Sequence, residues 1–101
     1  VEVKNVTLKE EKYALFPDAV TTRGQKHLRT LIKVKKLGMR AVMLYIVQRT
    51  DVEIFTPAVE IDPNYAAALK EAVVAGVEVI AMQAKVTPEK IELVKKLPVE
   101  I

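Results

Sequence analysis

Glu2-Val3-Lys4 opens the chain with a carboxylate and an amine two residues apart. Residues i and i+2 of a strand point to the same side, so the two groups would stand next to each other. Phosphodiester hydrolysis needs a divalent metal, and Mg²⁺ prefers a few carboxylates plus waters. Glu2 could bind such a metal while Lys4 orients the attacking water. The triplet is short, and on an arbitrary half-exposed strand a solvated charged face is the ordinary explanation. Asp18, in the Pro17-Asp18 break, offers a further metal-binding or supporting carboxylate, although Pro-Asp is also common turn chemistry. His27 is the only histidine and there is no cysteine, so thiolate metal sites are excluded and one histidine cannot build a zinc site without other strong ligands. Beside Lys26 it could contact phosphate or shuttle a proton; a hydrogen-bonded, partly buried imidazole is the plainer reading.

Arg23, Lys26, Arg29 and Lys33 form a second constellation near an expected helix start. Anions are favoured there by free N–H groups and the positive end of the helix dipole, and Gly24 would allow close backbone approach. Lys26, Arg29, Lys33 and Lys36 recur at i, i+3, i+7 and i+10 as one column. Basic side chains in that arrangement suit sequence-independent contact with a nucleic-acid backbone. A solvated basic face is the alternative. Gln48 and Arg49, at the end of an apolar run, could hold phosphate or water, or simply finish a strand. With Tyr13, Phe16, Tyr45, Phe55 and Tyr65 the only aromatics, a base-stacking platform has little support.

The elements that must position these groups are legible in outline. Val1, Val3, Val6 and Leu8 frame a first strand, and Tyr13–Phe16 a short return strand. Thr22 and Gln25 have capping-box spacing, so a helix is expected from Thr22, with Leu28, Leu31 and Ile32 inward and Gly38 as its stop. Residues 41–47 are apolar on both faces, the pattern of a central strand covered by helices on both sides. Residues 54–61 read as a connecting loop. Asp62 caps and Pro63 starts a second helix that Gly76 ends. A strand from Val77 and a return past Thr87-Pro88-Glu89 complete an α/β domain: a mixed sheet flanked by two helices in the order β-β-α-β-α-β-β.

The 101 residues fit one domain, 1–101, and half of them are apolar. No apolar run approaches the ~18 residues of a membrane span, and no signal peptide is recognisable. Without cysteine, a reducing cytoplasmic setting is the expectation. A start in strand-like alternation without Met suggests a fragment of a longer protein. The net charge of +3 is unevenly spread: residues 21–40 hold seven basic side chains and no acid, whereas residues 51–80 hold six acids and Lys70. An anionic partner approached by one face fits this polarity, as does neutralisation within the fold.

The stretch Phe16-Pro17-Asp18-Ala19-Val20-Thr21-Thr22-Arg23-Gly24-Gln25-Lys26-His27-Leu28 resembles the signature of the sugar fermentation stimulation protein A family. Val1–Leu8, Val47-Gln48-Arg49, Ile61-Asp62-Pro63 and Gly76–Val79 match in order and spacing. The resemblance implies an N-terminal OB-like barrel, absent here, and a C-terminal domain similar to the PD-(D/E)XK, restriction-endonuclease-like fold. It also implies a segment similar to Ser-Arg-Ile-Asp-Phe before the first strand, whose Asp would join Glu2 and Lys4 in a Mg²⁺ site. Nonspecific DNA binding is the activity it implies. Three functions are thereby expected to compete: a DNA-binding module, a metal-dependent nuclease completed by the missing Asp, and a non-catalytic structural domain, with a homodimer compatible with its apolar segments.

Overall fold

The computed structural model describes residues 1–101. It contains β1 (Glu2–Val6), β2 (Leu8–Glu10), β3 (Tyr13–Phe16), α1 (Thr22–Lys36), β4 (Val42–Val47), β5 (Ile54–Pro57), α2 (Pro63–Ala75), β6 (Glu78–Val86) and β7 (Ile91–Leu97). The mixed α/β class with two helices is observed, with two more strands than the sequence suggests. The first strand breaks at Thr7, and residues 54–57 of the expected loop form β5. Neither β2 nor β5 is long enough to show a period of its own.

A four-stranded sheet has the order β1-β4-β6-β7, and a three-stranded sheet the order β2-β3-β5. In the larger sheet β1, β4 and β6 are parallel, with Glu2 beside Met43 and Lys4 beside Tyr45, while β7 returns antiparallel to β6. In the smaller sheet β2 and β3 form a hairpin, and β3 runs parallel to β5.

The connections β1-α1-β4 and β4-α2-β6 step across the sheet in one direction. Right-handed crossovers that advance the same way place both helices on the same face. Met43, Tyr45 and Val47 on that face join Leu28, Leu31, Tyr65, Leu69 and Ala72 of the helices and Ala14 and Phe55 of the small sheet in one core. Tyr45 stacks on Phe55 at 4.2 Å between ring centroids, and Phe16 meets Tyr65 edge-on at 5.3 Å. The expectation of helices on both faces is therefore corrected. Leu44, Ile46, Ile80 and Met82, on the other face, are only half-buried and lie outside this core.

Local signals set the helix ends. Thr21, not Thr22, caps α1: its Oγ1 accepts from Gly24 N at 2.9 Å. This shifts Gln25 out of capping-box position, and its side chain turns inward instead. Asp62 caps α2, Pro63 opens it, and Gly76 closes it in the left-handed region at φ 98°.

Candidate functional site

Glu2 and Lys4 point from β1 toward the helical face and meet His27 of α1. Lys4 Nζ lies 2.9 Å from His27 Nδ1 and 3.7 Å from Glu2 Oε1, and His27 Nδ1 is 3.2 Å from Glu2 Oε1. The three side chains are 35%, 17% and 27% exposed, partly sheltered but open to a ligand. The spacing of Glu2 and Lys4 was visible in the sequence. Their meeting with a side chain 23 residues beyond Lys4 was not.

Beneath the cluster, the hydroxyls of Tyr45 and Tyr65 are 2.5 Å apart in the core. Burial pushes the Tyr65 phenol up to about 12, against the lowering effect of the Tyr45 bond and with help from Asp62 and Glu2. Burial also pushes Tyr45 up, reinforced by Tyr65. Both phenols stay protonated at neutral pH and can only share a hydrogen bond. Their role is to support the floor of the cluster.

The position of His27 depends on how α1 is tied down, and Asp62 does this. Only 1% exposed, it accepts from Thr21 N at 2.9 Å, Tyr65 N at 3.0 Å and Gln25 Nε2 at 3.2 and 3.3 Å on its two oxygens. Burial by itself would raise the Asp62 carboxyl. The bonds from Thr21, Tyr65, Gln25 and the Asn64 backbone outweigh it and hold the group below the usual range. One carboxylate thus clasps the start of α1 to the start of α2. The sequence shows Asp62 only as a local cap. The overlooked signal was Gln25, three residues before buried Leu28, because a buried amide needs a partner.

Gly24 also departs from expectation. A Cβ there would lie 2.8 Å from Thr21 Cγ2 and 3.0 Å from Tyr65 Cε2. The close approach it permits is to α2, not to a phosphate, and the α1 terminus already has the Asp62 carboxylate beside it.

Arg23, Lys26, Arg29, Lys33 and Lys36 are exposed along α1, and none forms an ion pair. The positive charge of residues 21–40 is therefore not neutralised locally, apart from Arg40, which forks onto Glu78. Arg23 lies one turn before His27, so this face borders the Glu2–Lys4–His27 cluster.

Asp18 is exposed and takes part in no side-chain hydrogen bond or ion pair, and no group of three His, Asp or Glu side chains capable of holding a metal occurs. Gln48 and Arg49 leave β4 beyond the Val6–Val47 pair. They lie three and four residues past Tyr45, roughly 10–13 Å along a strand, so they are a separate locality from Lys4. There Arg49 donates to both Asp51 oxygens, at 2.9 and 2.8 Å, and to Thr7 O. The Arg49 guanidinium holds the Asp51 carboxyl well below its usual range.

Residues 1–90 match the profile of the family described as "Sugar fermentation stimulation protein RE domain". Among curated proteins, the chain is 58% identical over 99 residues to a sugar fermentation stimulation protein homolog of Geobacter metallireducens, covering 98% of this chain and 43% of that protein. It is 48% identical over 101 residues to a homolog from Shewanella sp. (strain MR-4), covering 100% of this chain and 43% of that protein. The solved structure of Pyrococcus furiosus SfsA in complex with Ca²⁺ superposes with a TM-score of 0.92 at 39% identity, over 99% of this chain and 44% of that one. The chain spans less than half the length of these relatives. On the extent of these matches, it belongs to the sugar fermentation stimulation protein family.

Proposed function

We propose that this domain binds a nucleic-acid backbone without sequence preference, along the exposed basic face of α1 and into the Glu2–Lys4–His27 cluster. The observation that supports it most is the absence of any carboxylate partner for Arg23, Lys26, Arg29, Lys33 and Lys36 on one continuous helix face. Lysine and arginine on such a face can displace the counterions condensed on a polyanion, which makes affinity fall with salt. Lys4 gives the face an inward end, an ammonium held by His27 where a phosphate oxygen could be received.

The test is DNA binding by the full-length protein across a salt series, with wild type and a Lys26→Ala/Arg29→Ala/Lys33→Ala variant. Each lost phosphate contact on duplex DNA should lower the slope of log affinity against log salt by about 0.9. Equal affinity and equal slope for the two proteins would remove the helix from the interface.

A second reading, metal-dependent phosphodiester hydrolysis, is favoured by Glu2 and Lys4 sharing one face of β1 and by the Ca²⁺ complexed by the Pyrococcus furiosus protein. Glu2 is the only carboxylate in the cluster, and hard divalent cations need several oxygen donors. The donor set of this chain alone therefore does not make a Mg²⁺ site. β1 is an edge strand, and a strand pairing there could bring a second carboxylate. The intact protein should then cleave DNA with added Mg²⁺ and lose that activity in Glu2→Gln and Lys4→Ala. Cleavage that survives both substitutions would assign the chemistry elsewhere.

A further inference from the structure

We infer that the outer face of the small sheet binds a linear alkyl polyamine, an organic cation with apolar spacers between its ammonium groups. Ala14 and Phe55 turn into the core, so the alternation of β3 and β5 sends Tyr13, Leu15 and Thr56 to the opposite side. Leu8 of β2, paired with Leu15, joins them there. The chain then rises around this surface. Ala58 N donates to Phe16 O at 2.8 Å and Ile61 N to Ala58 O at 3.1 Å, which makes the turn through Val59 and Glu60 one wall. Glu100 N donates to Phe55 O at 2.9 Å and sets the last residues as another. Between them lies a cleft of about 440 Å³, the size of a small-molecule site rather than of a seat for a folded partner.

Charge decides the occupant of this apolar cleft. Glu10 and Glu11 rim it at the β2–β3 turn, Glu60 in the following wall and Glu100 in the last. All four are exposed, and none has an ion pair or a side-chain hydrogen bond. Lys9, the one cation of the lining, is already paired at 3.4 Å with Asp51, which lies outside the cleft. An anion is therefore repelled and a cation attracted. The carboxylates come from three separate segments and do not converge, and no group of three acidic side chains is placed to hold a metal ion. A divalent ion needs several oxygens at one point. A chain whose ammonium groups stand a few methylenes apart can instead reach separated carboxylates. Its methylenes then lie on Leu8, Tyr13 and Leu15, and their burial distinguishes it from a bare counterion. The site shares no residue with the basic face of α1 or the Glu2–Lys4–His27 cluster.

Calorimetric titration of the full-length protein with spermidine, at low salt and without nucleic acid, tests this directly. Wild type should bind with a Kd below about 1 mM. A Glu60→Gln/Glu100→Gln variant removes two exposed, unpaired charges and should keep its melting temperature. Its affinity for spermidine should fall about five- to tenfold, the effect of losing two solvent-exposed charge pairs. Diaminopropane and diaminooctane carry the same charge and differ only in methylenes. The longer should bind at least about threefold tighter, because its extra methylenes reach the apolar floor. No binding of spermidine up to about 10 mM overturns the inference. So does an affinity that the paired substitution leaves unchanged, which would put the polyamine elsewhere. Equal affinity for the two diamines also overturns it, since the acidic rim would then be holding a diffuse counterion.

Discussion

Replacing Asp62 by asparagine tests whether one buried carboxylate holds α1 in place. Asp62 receives Tyr65 N on one oxygen, Thr21 N on the other, and Gln25 Nε2 on both. An asparagine keeps one acceptor oxygen. Its NH₂ would face at least one donor that formerly bonded to a charged oxygen. Hydrogen bonds to a charged group contribute ~1.5–3 kcal/mol each, and a buried donor left without a partner costs ~1–3 kcal/mol. Two compromised bonds give an expected loss of about 3–5 kcal/mol, a large share of the ~5–15 kcal/mol of an ordinary domain. In a chain of this size that corresponds to a melting temperature lower by roughly 15–30 °C.

The pH dependence follows from the depressed folded value of Asp62. The unfolded chain takes up its proton near pH ~3.9, before the folded one does. The stabilisation is therefore fully present above about pH 4 and is lost as pH falls through the lower folded value. Urea unfolding of both proteins from about pH 7 down to about pH 2 measures this. The gap should be constant near neutrality and close on acidification. A gap below about 1 kcal/mol at neutral pH, or one that widens in acid, would refute the clasp.

Three further outcomes follow from the same helix pair and its floor. Gly24→Ala gains up to ~1 kcal/mol of helix propensity but forces Thr21 and Tyr65 apart, and overpacking costs ~1–3 kcal/mol. A net destabilisation of about 1 kcal/mol by thermal melting is expected, and a stabilised variant would contradict the close approach. Tyr65→Phe strands the Tyr45 hydroxyl in the core and should cost ~1–3 kcal/mol. Tyr45→Phe added to it removes the stranded group, so the double variant should be no less stable than the single one. Additive losses would show that the hydroxyls do not share a bond.

Much of the architecture was legible because its signals are local. Asp62-Pro63 and Gly76 mark the ends of α2 by backbone chemistry that needs no tertiary partner. The α1 stripe and the apolar run of β4 were likewise readable. Thr21 and Thr22 were not separable, since either residue can cap and only the backbone turn decides. The small sheet was missed because four residues of β5 acquire strand structure from pairing with β3, not from their own pattern.

For the site, the family signature in residues 16–28 and the basic charge of residues 21–40 are properties of the sequence by itself. So is the shared face of Glu2 and Lys4, which follows from the two-residue period of any strand. Tertiary structure decided what those residues meet. The parallel crossover from β1 through α1 to β4 swings His27 onto Lys4, places Arg49 at the far end of the sheet, and leaves Asp18 outside the cluster. It also turned Gln25 and Asp62, each with an ordinary local reading, into a single buried clasp. Contacts between residues 23 and 37 positions apart depend on chain topology and the packing of whole elements, which no local period encodes.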